Sequence, residues 1–597
     1  MFSEAFPDES LQEENMIRGK SMQSRFFILF CGMSHLLLCM PTFAQVSDPL
    51  ARDVKTILEQ RCGDCHAQGS AEGGIDFILN RGRLVQRKFI VPGDSINSTL
   101  YKQVKTGAMP KDAEPLSKME IDKIKRWIDS GAIDWSPRVS RKAISPTDIL
   151  YFISNDLDVI EKENPQDLPF IRYFTITHLY NVNNFSDDEL ETYRRALSKL
   201  VNSLSWGSDI VIPQPIDPVR TILRIDLRDY RWTPETWNHI LAENPYGVIY
   251  DSDKAKSCYA RTRSLLPYVR ADWFVAKASI PPLYHDILDI PLTDVELEQR
   301  LKINVQKNLS ANQVARAGFN GSGVSNNNRL IERHFSDLTQ GAYWKSYDFK
   351  PLREKQAGAG LQDFPERNLF DRPLGPKVVM PDVSNPFQHA GGELIWNLPN
   401  GLQAYMLIDD SGKRIDVGPT DIVSDPGRPD RAVINGLSCM SCHARGMKDK
   451  KDQIRDAVLE NRSAYTAIEV KLVEASYPSH EQFQAFLDQD RERFTKAVER
   501  TGSKVSDTDP VVVLAQRFDS EVDLILAAAE IGISSEQLHK GIESLPESLR
   551  RAIGPLRTQE GTVKRDLFVS LFGTVIHELN LGPKEQAKWL SKIDPPT

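Results

Sequence analysis

The sequence predicts a mainly α, multi-domain protein with one small antiparallel meander, and three observations carry that reading. A chain of 597 residues is longer than one hydrophobic core usually serves. Over most of its length apolar residues recur at helical spacing behind capping residues. Strict alternation of the kind strands need is confined to residues 393–415 and a short run, Ile222 to Leu227. Hydrophobic content of 40% and charged content of 26% are those of a soluble globular protein. The formal charge of -8, with no cluster of Lys and Arg beyond short runs, excludes a phosphate-neutralising surface, so no nucleic-acid partner is expected.

The N-terminus reads as an export signal. Arg18, Lys20 and Arg25 precede an apolar run from Phe26 to Met40, and Thr42-Phe43-Ala44 offers a small-residue cleavage site before Gln45. Residues 1–44 are therefore expected to leave as a signal peptide. The acidic stretch from Met1 to Glu14 ahead of it points to translation starting at Met16 or Met22. Cys39 lacks the small preceding residue of a lipidated cysteine, and the apolar run is short for a bilayer span, so plain cleavage and no stable membrane span are expected. Of seven cysteines, Cys31 and Cys39 go with the signal and Cys258 reads as a small buried hydrophobe. The other four form two C-x-x-C-H units, Cys62/Cys65/His66 and Cys439/Cys442/His443, so no disulfide framework is required.

Two thiols two residues apart reach the two vinyl groups of a haem, and the histidine that follows presents its imidazole to the iron. The competing reading, one zinc site from four cysteines, gives no reason for a histidine after each pair. Asp48-Pro49 starts a helix whose Leu50, Val54, Ile57 and Leu58 lead directly into Cys62. A capping box, Ser117-Lys118-Met119-Glu120, opens a second helix through Ile121, Ile124, Trp127 and Ile128, with Gly131 as the stop. Between them Met109, 43 residues after His66, has enough chain to reach the opposite haem face and is the expected sixth ligand. Met/His ligation closes the iron and suits electron transfer. Met119 is the rival, and core filling is the ordinary alternative for either methionine.

Arg61-Cys62-Gly63-Asp64-Cys65-His66, Gly73-Gly74-Ile75-Asp76, Ile90-Val91-Pro92-Gly93, Met109-Pro110 and Ile128-Asp129-Ser130-Gly131-Ala132 together resemble the planctomycete-type cytochrome c domain. The resemblance covers residues 48–137. It implies a class I-like helical cytochrome with Cys62, Cys65, His66 and Met109 at the haem-binding positions.

Ser136 to Ser145 reads as a linker into a mostly helical middle domain, residues 146–345, with capped helices at Ser186 and at Thr233-Pro234. Its loop Gly318-Phe319-Asn320-Gly321-Ser322-Gly323, followed by Asn326 to Arg329, has neither the phosphate-loop nor the dinucleotide spacing. It reads either as a turn lining a haem edge or cleft, with Arg329 a partner for a propionate, or as a plain surface loop.

Residues 346–450 are expected to form the second haem region, a β-meander from Glu393 to Ile415 followed by the motif in Asn435 to Gly446. No methionine loop follows His443. Met447 is only four residues on, so the second iron is five-coordinate or draws a ligand from elsewhere. His389, between Gln388 and the Ala390-Gly391-Gly392 run, is the candidate distal group or catalytic acid–base residue; a plain hydrogen-bonded loop histidine is the alternative. Residues 451–597 read as a helical C-terminal region covering that haem, with helices opened at Ser479 and Asp509-Pro510 and an apolar stripe Leu567, Phe568, Leu571, Phe572, Val575 and Leu579; His577 falls off that stripe, facing solvent. The expected whole is a periplasmic or secreted cytochrome with two covalent haems c and a redox partner protein. Its second haem is either a relay or an oxidoreductase centre, and a haem-based gas or redox sensor is the rival class.

Overall fold

The computed structural model describes residues 48–582 apart from 68–71, 76, 112, 136–140, 184, 312, 322–327, 349–368, 376–388, 421–422, 426–427, 429 and 559–560. The expected signal peptide and the first half of the Ser136 to Ser145 linker lie outside the described residues, as do Phe387, Gln388 and the middle of the glycine loop.

The first domain is built on four helices: α1 (Pro49–His66), α2 (Arg81–Gln86), α3 (Thr99–Lys105) and α4 (Lys118–Asp129). Asp48 caps α1 by accepting from the Leu50 N–H, with Pro49 in the first turn where its missing N–H costs nothing. The reciprocal Ser117/Glu120 box opens α4, and Gly131 ends it at φ +97°. Val54, Ile57 and Leu58 of α1 pack with Ile124, Trp127 and Ile128 of α4 in a core of their own, with Cys62 against its edge.

Helix α5 (Pro146–Glu163) opens the body of the protein. Strands β1 (Ile171–Thr175), β2 (Gln214–Pro215), β3 (Ile222–Asp226) and β4 (Tyr268–Arg270) form a sheet in the order β2-β3-β1-β4. Cys258, fully buried, belongs to the apolar cluster of this sheet and α5. A second, six-stranded antiparallel sheet joins β5 (Ala315–Asn320), β6 (Asn328–Ser336), β7 (Gly341–Asp348), β8 (Gly391–Asn397), β9 (Gln403–Asp409) and β10 (Arg414–Ile415) in sequential order.

The fold is about half helical, with more strand than the sequence predicts. The expected meander is the β8–β10 edge of a sheet twice as wide, and β5–β7 come from what reads as helical middle domain. The expected boundary at residue 345 falls inside β7. One apolar core also runs from Phe174 through Tyr343, Trp396 and Cys439 to Phe494 and Ile576, so the expected boundaries at 345 and 450 do not divide it. The C-terminal region is helical as read, including His480–Arg500, Pro510–Phe518 and Arg565–Glu578. His577 is half-buried there rather than solvent-facing. Among the described residues no helix is long and apolar enough to cross a membrane.

Candidate functional site

Helix α1 delivers the first motif on its last turn, with Cys62 half-buried, Cys65 exposed and His66 as the final helical residue. His66 Nδ1 lies 3.2 Å from the Ile75 carbonyl oxygen, and the His66 carbonyl accepts from the Ile78 N–H at 3.2 Å. A carbonyl only accepts, so Nδ1 holds the proton and Nε2 is the bare nitrogen that a metal takes. Burial pushes the Cys62 thiol up to about 11, leaving a neutral sulfur at the core edge.

Met109 is half-buried in the loop between α3 and α4, where the Ala108 and Met109 N–H groups both donate to the Gln103 carbonyl. Arg61, beside Cys62, donates to the carbonyls of Glu114 and Pro115 at 2.5 and 3.2 Å, tethering that loop to the motif end of α1. The Met109-Pro110 peptide is cis. Met119, by contrast, is 69% exposed on the first turn of α4.

The second motif occupies a short helix, Leu437–Cys442, with His443 as its cap. Gly436 sits at φ +85°, where a Cβ would meet the Ser279 carbonyl oxygen at 2.5 Å, so only glycine admits this approach to the body. Ser438 donates to Asp425 at 2.7 Å and accepts the Ile434 N–H, fixing the first turn. His443 Nδ1 is 3.2 Å from the Gly446 carbonyl oxygen, repeating the arrangement at His66 and again leaving Nε2 for a metal. The Tyr405 ring stacks on His443 at 6.0 Å between centroids and 28° between planes.

His443 opens on a cavity whose empty space, solvent at its mouth included, is about 1100 Å³. Cys439, Cys442, His443 and Met447 line one side, and Phe319, Ile331, Ile395 and Leu407 line the sheet side. Arg329, Lys345, Asp348, Glu393, Lys448 and Lys450 supply its charge. Arg329 binds Asp348 through Nε and Nη2 at 2.6 and 2.9 Å. The Glu393 carboxylate stands 3.7 Å from His443 Nε2. Burial first, then the Glu393 charge, lifts the Cys439 thiol far above its ordinary range. These residues fit a haem c: two sulfurs on one helical turn, an oriented imidazole, apolar walls for the flat faces of the ring and cations for its carboxylates.

The structure thus gathers Cys439, Cys442, His443, Met447 and Arg329 around one space. His389 packs edge-to-face on Tyr347, ring centroids 5.2 Å apart, and is not among the described lining residues, although Ala390 is. Sequence reasoning missed Glu393, Asp348 and Tyr405. A signal existed for Glu393: it shares an alternation face with Ile395, and the partners of these two across β9, Leu407 and Tyr405, border the same site. Among the described residues no group of three or more His, Cys, Asp or Glu side chains is placed to hold a metal ion. The two cysteine pairs border different cores, which gives the single zinc site no geometric support.

No curated protein and no solved structure matches the chain. Residues 62–113 match the model of a family described as planctomycete cytochrome C. That span holds Cys62, Cys65, His66 and Met109 and excludes the second motif. The family implies covalently bound haem c and haem-based electron transfer, and the first domain carries this planctomycete-type cytochrome c segment.

Proposed function

We propose that this protein is an exported dihaem c-type cytochrome that exchanges electrons with a redox partner protein through the Met109-ligated first haem and passes them to or from a second haem at Cys439, Cys442 and His443. The observation that carries the reading is the shared imidazole geometry: each motif histidine has Nδ1 tied to a main-chain carbonyl at 3.2 Å, and at His443 the other ring nitrogen faces the cavity that Cys439 and Cys442 line. Haem c supplies one-electron transfer at its iron when bound. Around it the chain orients the ring through paired sulfurs, fixes each histidine tautomer, and at the second site places Arg329, Lys448 and Lys450 for the propionates. Charged groups and an open mouth at that cavity favour the second haem as the reaction centre, with the first as its electron port.

Intact-mass spectrometry of protein matured with a cytochrome c assembly system tests this. The native chain should begin at Gln45 and carry two haems, while the Cys62→Ala/Cys65→Ala and Cys439→Ala/Cys442→Ala variants should each carry one. A native mass with one haem, or none, refutes the dihaem reading. Met109→Ala should in addition abolish the low-spin Met/His spectrum of the first haem and lower its potential, since the thioether ligand raises it.

A further inference from the structure

We propose that Glu393 is the distal residue of the second haem, its carboxylate taking the sixth iron position opposite His443; this rests on the dihaem reading above. A porphyrin leaves an iron two axial positions. Two metal–ligand bonds of roughly 2 Å each, laid end to end, separate their ligand atoms by about 4 Å. Glu393 Oε2 stands 3.7 Å from His443 Nε2, the nitrogen left bare by the Gly446 carbonyl.

The sheet sets this aim. Glu393 donates its N–H to Ser346 Oγ at 2.8 Å and pairs across β9 with Leu407. The preceding Gly392 lies so close to β7 that a Cβ would meet the Ser346 carbonyl oxygen at 2.0 Å. The side chain, only 15% exposed, therefore leaves a tightly seated strand end and points into the cavity beside the Cys439 thiol that would join the ring. A buried carboxylate is stabilised by positive partners: Arg329 lines the same cavity, and a ferric centre opposite His443 would supply another. Neither rival is seated this way. Met447 lines the cavity from the turn after His443, its main chain held by Arg491 at 3.2 Å, and His389 packs on Tyr347.

The test is spectroscopic, on the haem-loaded full chain, with intact mass counting haems first. An oxygen ligand is weak-field, so the ferric protein should show one low-spin component from the first haem and one high-spin component from the second. Glu393→His should convert the high-spin component to low-spin. Glu393→Gln, which keeps the side-chain shape, should bind cyanide about tenfold more tightly or better, because no carboxylate competes for the iron. With two haems present, an unchanged spectrum in Glu393→His overturns the proposal. So does a low-spin second iron whose signal disappears in Met447→Leu or His389→Ala. A single haem by mass overturns the dihaem reading and this proposal with it.

Discussion

Glycine 436 shows how one residue governs the second site. Its φ of +85° is costly for any residue with a Cβ, and the Ser279 carbonyl oxygen at 2.5 Å leaves that Cβ no room. Gly436→Ala should therefore lower stability by about 2 kcal/mol or more, read as a shift of the urea midpoint, and should shift the second-haem spectrum while leaving the first unaltered. A midpoint within error of native would mean that the motif helix seats without this turn. Arg329 stands out in the sequence because a lone arginine after a glycine loop is a local signal. Glu393 does not. An acid in an alternating strand reads as a solvent face, and only the strands packed beside it decide that the face is a cavity wall.

The six-stranded sheet was hidden at the level of the element for a related reason. Helix starts at Asp48, Ser117, Ser186, Thr233, Ser479 and Asp509 were legible because a cap is written within four residues. Strands β5–β7 bury Arg316, Glu332, His334 and Lys345, charged types that sequence reading assigns to solvent. Lys345 takes its partners from elsewhere in the chain, Asp294 and, at 2.8 Å, Glu298, while Arg316 holds Glu332 of the neighbouring strand at 2.7 Å. Glu332 also accepts from Tyr347 at 3.2 Å and faces His334 at 3.4 Å. Burial pushes its carboxyl up, yet Arg316 and His334 bring it down from 4.5 to about 2. Because the folded value lies below the unfolded one, the stabilisation, on the order of 3 kcal/mol, is complete above about pH 4.5 and is lost as pH falls toward 2. Glu332→Gln should melt well below native at neutral pH, and the gap in melting temperature should close on acidification. A gap constant across that range would show that the ion pair contributes nothing linked to protons.

For the whole molecule, the first domain keeps its own core but is pinned to the body at the elements around its haem motif. Asn80 and Arg83 of the first domain both reach the buried Glu189, Arg83 at 2.9 Å, and Arg517 of helix Pro510–Phe518 lies over Phe77 at 6.0 Å. That helix packs on the second motif helix. The loop whose Ile75 carbonyl orients His66 also carries Glu72, which accepts the Asp507 N–H at 3.1 Å, and the Asp507 carboxylate pairs with Arg445, two residues after His443. The peptide holding one histidine thus meets the peptide following the other through a single intervening residue, an arrangement suited to electron exchange within one molecule. After flash reduction with less than one electron per protein, electrons should redistribute between the two haems at a first-order rate that does not change on tenfold dilution. Arg445→Ala should leave stability within about 1 kcal/mol of native, because the Arg445–Asp507 pair is exposed and screened by solvent. A redistribution rate proportional to protein concentration would mean that the haems communicate only by collision between molecules, and the first haem would not be the electron port of the second.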